Sequence, residues 1–175
     1  MNVRATGIDG VLVGSFEPVR DERGAFERMW DGTALAEHGV DPHIAQCSLA
    51  RNDAAGTLRG LHWQDGPEGE TKVVRCVRGA IFDVAADVRP GSATYGAWFG
   101  LRLHADGNEM LIVPPGCAHG YVTLEDASDV AYWISVPYRP SAARGIRYDD
   151  PRLAIDWPVE PRVVSARDRA LPRLA

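Results

Sequence analysis

Apolar and polar positions along the chain alternate in short runs and rarely follow a helical period. Val73-Val-Arg-Cys-Val77 alternates as far as the turn Arg78-Gly79, and Ala80–Val88 follows, stopping at Arg89-Pro90-Gly91. Tyr95–His104 carries Trp98, Phe99, Leu101 and Leu103 and stops at Asp106-Gly107. Glu109-Met-Leu-Ile-Val113 ends at Pro114-Pro115-Gly116, and Gly120–Leu124 and Val130–Ser135 complete the set. Short runs at regular spacing, punctuated by Gly and Pro, predict an all-β sandwich or barrel. Helical patterning is confined to Asp31–His38, with Asp31 or Thr33 as N-cap and Gly39 as the stop. From Ile146 onward, Arg, Asp and Pro predict irregular structure with one short helical turn.

Composition narrows the class. The 175 residues are 45% apolar and 25% charged, as in an ordinary globular chain, and predict one domain over 1–175 with a substantial core. No run approaches the roughly 18 apolar residues of a membrane helix, and residues 1–10 lack the apolar stretch of a signal peptide. Neither a membrane nor a nucleic acid is expected as partner, the latter because the net charge is −5. A small anionic ligand needs only a few convergent cations and remains open. Cys47, Cys76 and Cys117 form no C-x-x-C. Cys47 and Cys76 read as small apolar residues in strands, and unpaired cysteines favour the cytoplasm.

Pro114-Pro115-Gly116-Cys117-Ala118-His119 fits P-x-G-x-x-H and resembles the second motif of cupins, which are jelly-roll proteins. Pro and Gly shape a turn between strands, and His119 then points into the barrel. A buried, hydrogen-bonded histidine after a turn is the ordinary alternative. A metal-binding cupin needs a further H-x-H, and here that place reads His62-Trp63-Gln64. Two histidines without a third ligand make a poor metal site, so a jelly roll without metal or other cofactor is expected.

Arg59 and His62 follow Gly56 closely, and Lys72, Arg75 and Arg78 come next. On a regular strand Lys72 and Arg75 point to opposite faces and cannot share a pocket. Arg59, Lys72 and His119 suit a diphosphate, whereas a solvated edge strand is the plainer reading. The ordered motifs Asp21–Phe26, Leu58–Gln64, Val77–Val84, Pro114–Gly120, Tyr138-Arg-Pro140, Arg144–Pro151, Ile155–Pro158 and Ser165–Asp168 decide between them. With these motifs the chain resembles the dTDP-4-dehydrorhamnose 3,5-epimerases, cupin-fold enzymes of nucleotide-sugar metabolism, over nearly its whole length.

The resemblance implies epimerisation at C3 and/or C5 of a nucleotide-linked 4-keto-6-deoxyhexose through an enolate. It makes His62 the base, Tyr132 the opposite-face acid, and Lys72 the stabiliser of the O4 oxyanion. Asp168 is the carboxylate that steadies His62, with Asp83 as the competing candidate. Arg23, Phe26, Gln46, Ser48, Arg59, His119, Tyr138 and Arg167 are implied to contact substrate. The family is homodimeric, and Arg23 and Phe26 are the residues that would reach across. Several nucleotide-side positions depart from the family pattern: Arg28 replaces a Glu, Gln46-Cys-Ser48 replaces Q-x-N, and Arg167 replaces a Lys. CDP and GDP therefore stand beside dTDP as nucleotides. A 3,4-ketoisomerase and a non-catalytic sugar-nucleotide binding module are the alternative functions.

Overall fold

The computed structural model describes residues 1–174. In chain order the first strands are β1 (Asn2–Ala5), β2 (Leu12–Ser15), β3 (Val19–Asp21) and β4 (Gly24–Phe26), then helix α1 (Gly32–Ala36). They are followed by β5 (Gln46–Asn52), β6 (Thr57–Gln64), β7 (Lys72–Arg78), β8 (Ala80–Asp87) and β9 (Trp98–His104). The last elements are β10 (Glu109–Val113), β11 (Cys117–Thr123), β12 (Ser128–Ile134), β13 (Ala143–Gly145), β14 (Val163–Val164) and helix α2 (Ala166–Arg169).

Two main sheets result, with orders β1-β2-β10-β7-β12-β5 and β13-β6-β11-β8-β9. Strands β3 and β4 form a separate hairpin, and β14 adds to β6 in parallel. This is the all-β, cupin-type jelly roll, with two short helices.

Period-two alternation sorts the side chains between the barrel interior and the outer layers. On β10, Leu111 and Val113 point into the interior with Val74, Ile81 and Tyr121, while Met110 and Ile112 pack outward with Leu35 of α1 and Val73. On β12, Tyr132 faces the interior cluster and Trp133 stacks outside on Trp30. The outer face of the second sheet is covered by the C-terminal segment, through Ile146, Leu153 and Trp157 against Leu61, Val84 and Ala118.

Three boundaries differ from the pattern-based expectation. The helix stops at Ala36, because the chain turns over at Gly39, whose φ is +75°; Asp31 is its cap, accepting from the Ala34 N–H. Strand β9 begins at Trp98 rather than Tyr95. The segment before it is a loop gathered on buried Asp87, which accepts from Arg89, Ser92 and Thr94. Strand β11 begins at Cys117 rather than Gly120, since only Pro114–Gly116 is needed for the turn. Cys76 and Cys117 are buried, and burial pushes their thiols up, to about 11 and about 12. Cys47 is exposed instead, because β5 is a sheet edge.

Candidate active site

The site begins with an irregularity in β6. Arg59 and His62 are three residues apart, so a regular strand would turn them to opposite faces. Against β11, however, His62 pairs with His119 and Arg59 with Tyr121, so three steps on β6 match two on β11. The extra residue is a β-bulge, and it brings Arg59 and His62 to the same interior face. Two glycines permit it. A Cβ on Gly60, at φ +126°, would stand 2.6 Å from the Gly120 Cα, and one on Gly120 would stand 2.8 Å from the Arg59 carbonyl oxygen.

The carboxylate partner of His62 comes from the far end of the chain. Strand β14 pairs with the start of β6, Val163 beside Thr57 and Val164 beside Leu58. Ser165 then caps α2 by accepting from the Asp168 N–H at 3.0 Å. Asp168, buried, is thereby placed with Oδ1 2.8 Å from His62 Nε2, while its Oδ2 accepts from the Gly60 N–H at 3.3 Å. Asp83 is not the partner of His62. It lies on β8 and meets Nε2 of His119 at 2.7 Å. Two histidine–carboxylate pairs therefore stand in neighbouring strands. The His62 side chain is 35% exposed and that of His119 only 5%.

Burial lowers the pKa of His62 from its ordinary value. Asp168 opposes that effect, and the charges of Lys72 and Arg167 add to it. The imidazole is thus neutral at neutral pH. Tyr132 enters from the other sheet, its ring 5.8 Å from that of His119 and edge-on to it. Burial raises its phenol well above the ordinary value, with Tyr121 and the Asp83 charge reinforcing the shift, so Tyr132 keeps its proton. Lys72 Nζ donates to the His62 carbonyl at 2.9 Å and pairs with Glu70 at 2.7 Å.

These groups surround one cavity of about 570 Å³, lined among others by Ser48, Arg59, His62, Lys72, His119, Tyr132, Arg167 and Asp168. A smaller cavity of about 200 Å³ shares His62, Lys72 and Arg167 with it and adds Gln46, Glu70 and Tyr138. Gln46 accepts there from the Tyr138 N–H at 2.8 Å. A neutral base, a protonated phenol and a buried ammonium around one space are the equipment for moving a proton on and off a carbon acid.

The family model for dTDP-4-dehydrorhamnose 3,5-epimerase matches residues 5–175. The chain belongs to the dTDP-4-dehydrorhamnose 3,5-epimerase family. It is 38% identical to the dTDP-4-dehydrorhamnose 3,5-epimerase of Escherichia coli strain K12, over 98% of this chain and 93% of the relative. Its fold matches the crystal structure of a 4-keto-6-deoxy sugar epimerase from Streptomyces spheroides, with TM-score 0.94 and 38% identity, covering 99% of this chain and 87% of that one. It also matches the Bacillus anthracis dTDP-4-dehydrorhamnose 3,5-epimerase crystallised with TDP and pyrophosphate, with TM-score 0.95 and 35% identity over 99% of both chains.

As a member of the dTDP-4-dehydrorhamnose 3,5-epimerase family, the protein is a carbohydrate epimerase. Not every residue implied for such a site converges within the chain. Arg23 and Phe26 sit on the β3–β4 hairpin, exposed and outside both cavities, and Arg23 pairs with Asp21. Arg28 pairs with Asp31 at 2.9 Å. Arg75 points away from the cavity, paired with Glu27 on the outer side of β7, and β7 itself is a central strand, not a solvated edge. Among the described residues no group of three or more His, Cys, Asp or Glu is arranged to hold a metal ion.

Two members of the site escaped the sequence reading. Asn52, buried at the end of β5, accepts from Arg59 Nε at 2.9 Å and from the Tyr121 hydroxyl at 3.2 Å, fixing the guanidinium toward the cavity. Glu70 was missed because it precedes β7 in a turn without a recognisable motif. A composition signal did point there: Lys72 is the only lysine among 19 Lys+Arg. Arginine keeps its charge everywhere, whereas a buried lysine has a tunable one.

Proposed function

We propose that the protein inverts C3, C5 or both in a dTDP-linked 4-keto-6-deoxyhexose, with His62 as base and Tyr132 as acid. The observation that carries this reading is the pair of His62 on β6 with Asp168 on α2 and the protonated Tyr132 on the facing sheet, all lining a cavity that also holds Lys72. A carboxylate can only accept, so His62 Nε2 carries the proton and Nδ1 presents its lone pair. Nδ1 takes the proton from the carbon next to the ketone. The C–H electron pair becomes the enolate, and the charge collects on O4, where the Lys72 ammonium stabilises it. Tyr132 returns a proton from the opposite face, and solvent reprotonates the phenolate as His62 releases its own proton. No redox step occurs, and the sugar leaves as an isomer.

Arg59 and His119 face the same space and suit the diphosphate. Ser48, Gln46, Tyr138 and Arg167 line its continuation toward the nucleotide. The preference for dTDP over CDP or GDP rests on the Escherichia coli and Bacillus anthracis relatives. The single jelly roll of 1–175 works as a homodimer in this reading. Its support is two exposed features, the β3–β4 hairpin, with Val19 69% and Phe26 76% exposed, and the open β5 edge that shows Leu49.

The test is incubation with dTDP-, CDP- and GDP-linked 4-keto-6-deoxyglucose in D₂O, followed by NMR. Deuterium should enter C3, C5 or both of the dTDP sugar, and His62→Asn should abolish entry. A carbonyl found at C3 would mark a ketoisomerase, and tight binding without exchange a binding module; either result would overturn the proposal.

A further inference from the structure

Lys72 is the one lysine of the chain, and its ammonium sits where little water reaches it. An ammonium has three N–H donors. One goes to the Glu70 carboxylate at 2.7 Å and one to the His62 carbonyl at 2.9 Å, which leaves a single donor for the cavity that Lys72 lines. The Glu70 side chain is itself only 7% exposed, so the pair is screened from solvent on both sides. The segment bearing it is anchored next door: the Thr71 N–H donates to Ser135 Oγ at 2.9 Å, and the Ser135 N–H donates back to the Thr71 carbonyl at 3.1 Å. Glu70 is therefore held, not tethered loosely to a surface turn.

We infer that Glu70 is a positioning residue of the reaction, keeping the Lys72 ammonium charged and its remaining N–H aimed at the sugar carbonyl oxygen. This inference rests on the proposed epimerase chemistry of the same cavity. The titratable and charged groups that face Lys72 come from every packed element. Glu70 lies on its own segment, His62 on β6, Asp83 on β8, His119 on β11, Tyr132 on β12 and Arg167 on α2. Burial lowers the Lys72 pKa, and the opposing influences are the charge and hydrogen bond of Glu70 followed by the Asp83 charge. Asp83 is already committed to His119. Glu70 is then the main group that holds Lys72 charged against burial, and its loss leaves only the Asp83 charge opposing that burial. The sign follows: without the carboxylate, Lys72 gives up its proton at lower pH, and the alkaline limb of activity moves acidward.

Because there is one lysine, protein grown with lysine carrying carbon-13 at Cε gives a single side-chain signal that reports Lys72 directly. In Glu70→Gln, which keeps the length and the acceptor oxygen, its titration midpoint should fall by roughly one pH unit or more. The alkaline limb of kcat for deuterium entry from D₂O should fall with it. At neutral pH kcat should drop while KM stays within about twofold, because the lysine meets a charge that exists only in the transition state. Glu70→Asp keeps the charge and changes the aim, so its midpoint should stay near wild type while kcat drops. An unchanged midpoint in Glu70→Gln overturns the inference, and so does a shifted midpoint with an unmoved alkaline limb, since either would leave Glu70 a structural residue. Wild-type protein that turns over no nucleotide keto-sugar, with Lys72 still shifting as described, would overturn the epimerase reading and Glu70's place in it, leaving only the control of Lys72 by the ion pair.

Discussion

Replacing Asp168 by Asn tests the base most directly. The exchange preserves shape and leaves an oxygen to accept from the Gly60 N–H, so α2 and its Ser165 cap should stay in place. What changes is the 2.8 Å contact to His62 Nε2. A charge-assisted hydrogen bond at a buried site is worth about 1.5–3 kcal/mol, and its loss alone slows the reaction roughly 10- to 150-fold. The amide NH₂ can also face Nε2 and hold the imidazole in the other tautomer, with the proton on the nitrogen that must accept one. In a hydrolase triad the same Asp→Asn exchange costs about 10⁴-fold. The expected loss in kcat for Asp168→Asn is therefore about 10² to 10⁴. The pH profile carries a second signature. Asp168 counteracts the burial that lowers the His62 pKa, so removing its charge lowers that pKa further and moves the acidic limb of activity to lower pH. Initial rates of deuterium entry from D₂O, measured by NMR between about pH 4 and pH 9, read both quantities. Activity within about twofold of wild type, or an acidic limb displaced upward, would refute the reasoning.

Other outcomes follow from neighbouring groups. Tyr132→Phe should slow inversion far more than loss of the C–H proton, read as exchange that outpaces product formation in D₂O; equal loss of both would remove Tyr132 as the acid. Asp87→Asn should cost about 2–4 kcal/mol in chemical denaturation, since it breaks a buried pair with Arg89, which stays partly in contact with water. Burial alone would raise the Asp87 carboxyl, but the hydrogen bonds from Arg89, Ser92 and Thr94 hold it far below the usual range. Its contribution is thus complete above about pH 4, its unfolded value, and fades as pH falls, so the variant should show a flatter loss of stability on acidification.

Much of the fold was legible in the chain because short apolar runs broken by Gly and Pro are a local signal, one that holds even for β8, β10 and β11, which are buried along nearly their whole length. Strand ends were less legible. Tyr95 and Trp98 look alike to a pattern, and only the collection of Ser92 and Thr94 on Asp87 separates loop from strand. At the site, the types His62, Lys72, Tyr132 and Asp168 stood in readable motifs, but their meeting did not. Period two places Arg59 and His62 on opposite faces, and the bulge at Gly60 that reverses this shows only against the register of β11. The choice between Asp83 and Asp168 depended on which of two adjacent histidines each carboxylate reaches, a question of a few ångströms that spacing cannot answer. Glu70 and Asn52 act on other side chains, and nothing in a linear pattern marks such residues.

The charges around the cavity suggest how the nucleotide end is completed. The cations Arg59, Lys72 and Arg167 stand against carboxylates Glu70, Asp83 and Asp168, so one chain offers a diphosphate a balanced field. Arg23, its side chain 84% exposed on the β3–β4 hairpin, pairs with Asp21 of the same hairpin and stays open to solvent, and Phe26 beside it is an aromatic surface suited to a base. If a second copy lends this hairpin, a site takes His62 from one subunit and Arg23 from the other. Arg23→Ala should then raise KM strongly while leaving the His62–Asp168 pair intact. Mixing Arg23→Ala with His62→Asn protein, each nearly inactive at low substrate, should restore about a quarter of the wild-type rate after subunit exchange, because half the dimers are mixed and each holds one intact site. A mixture no more active than the sum of its parents would place Arg23 and His62 in the same subunit's site or remove Arg23 from it.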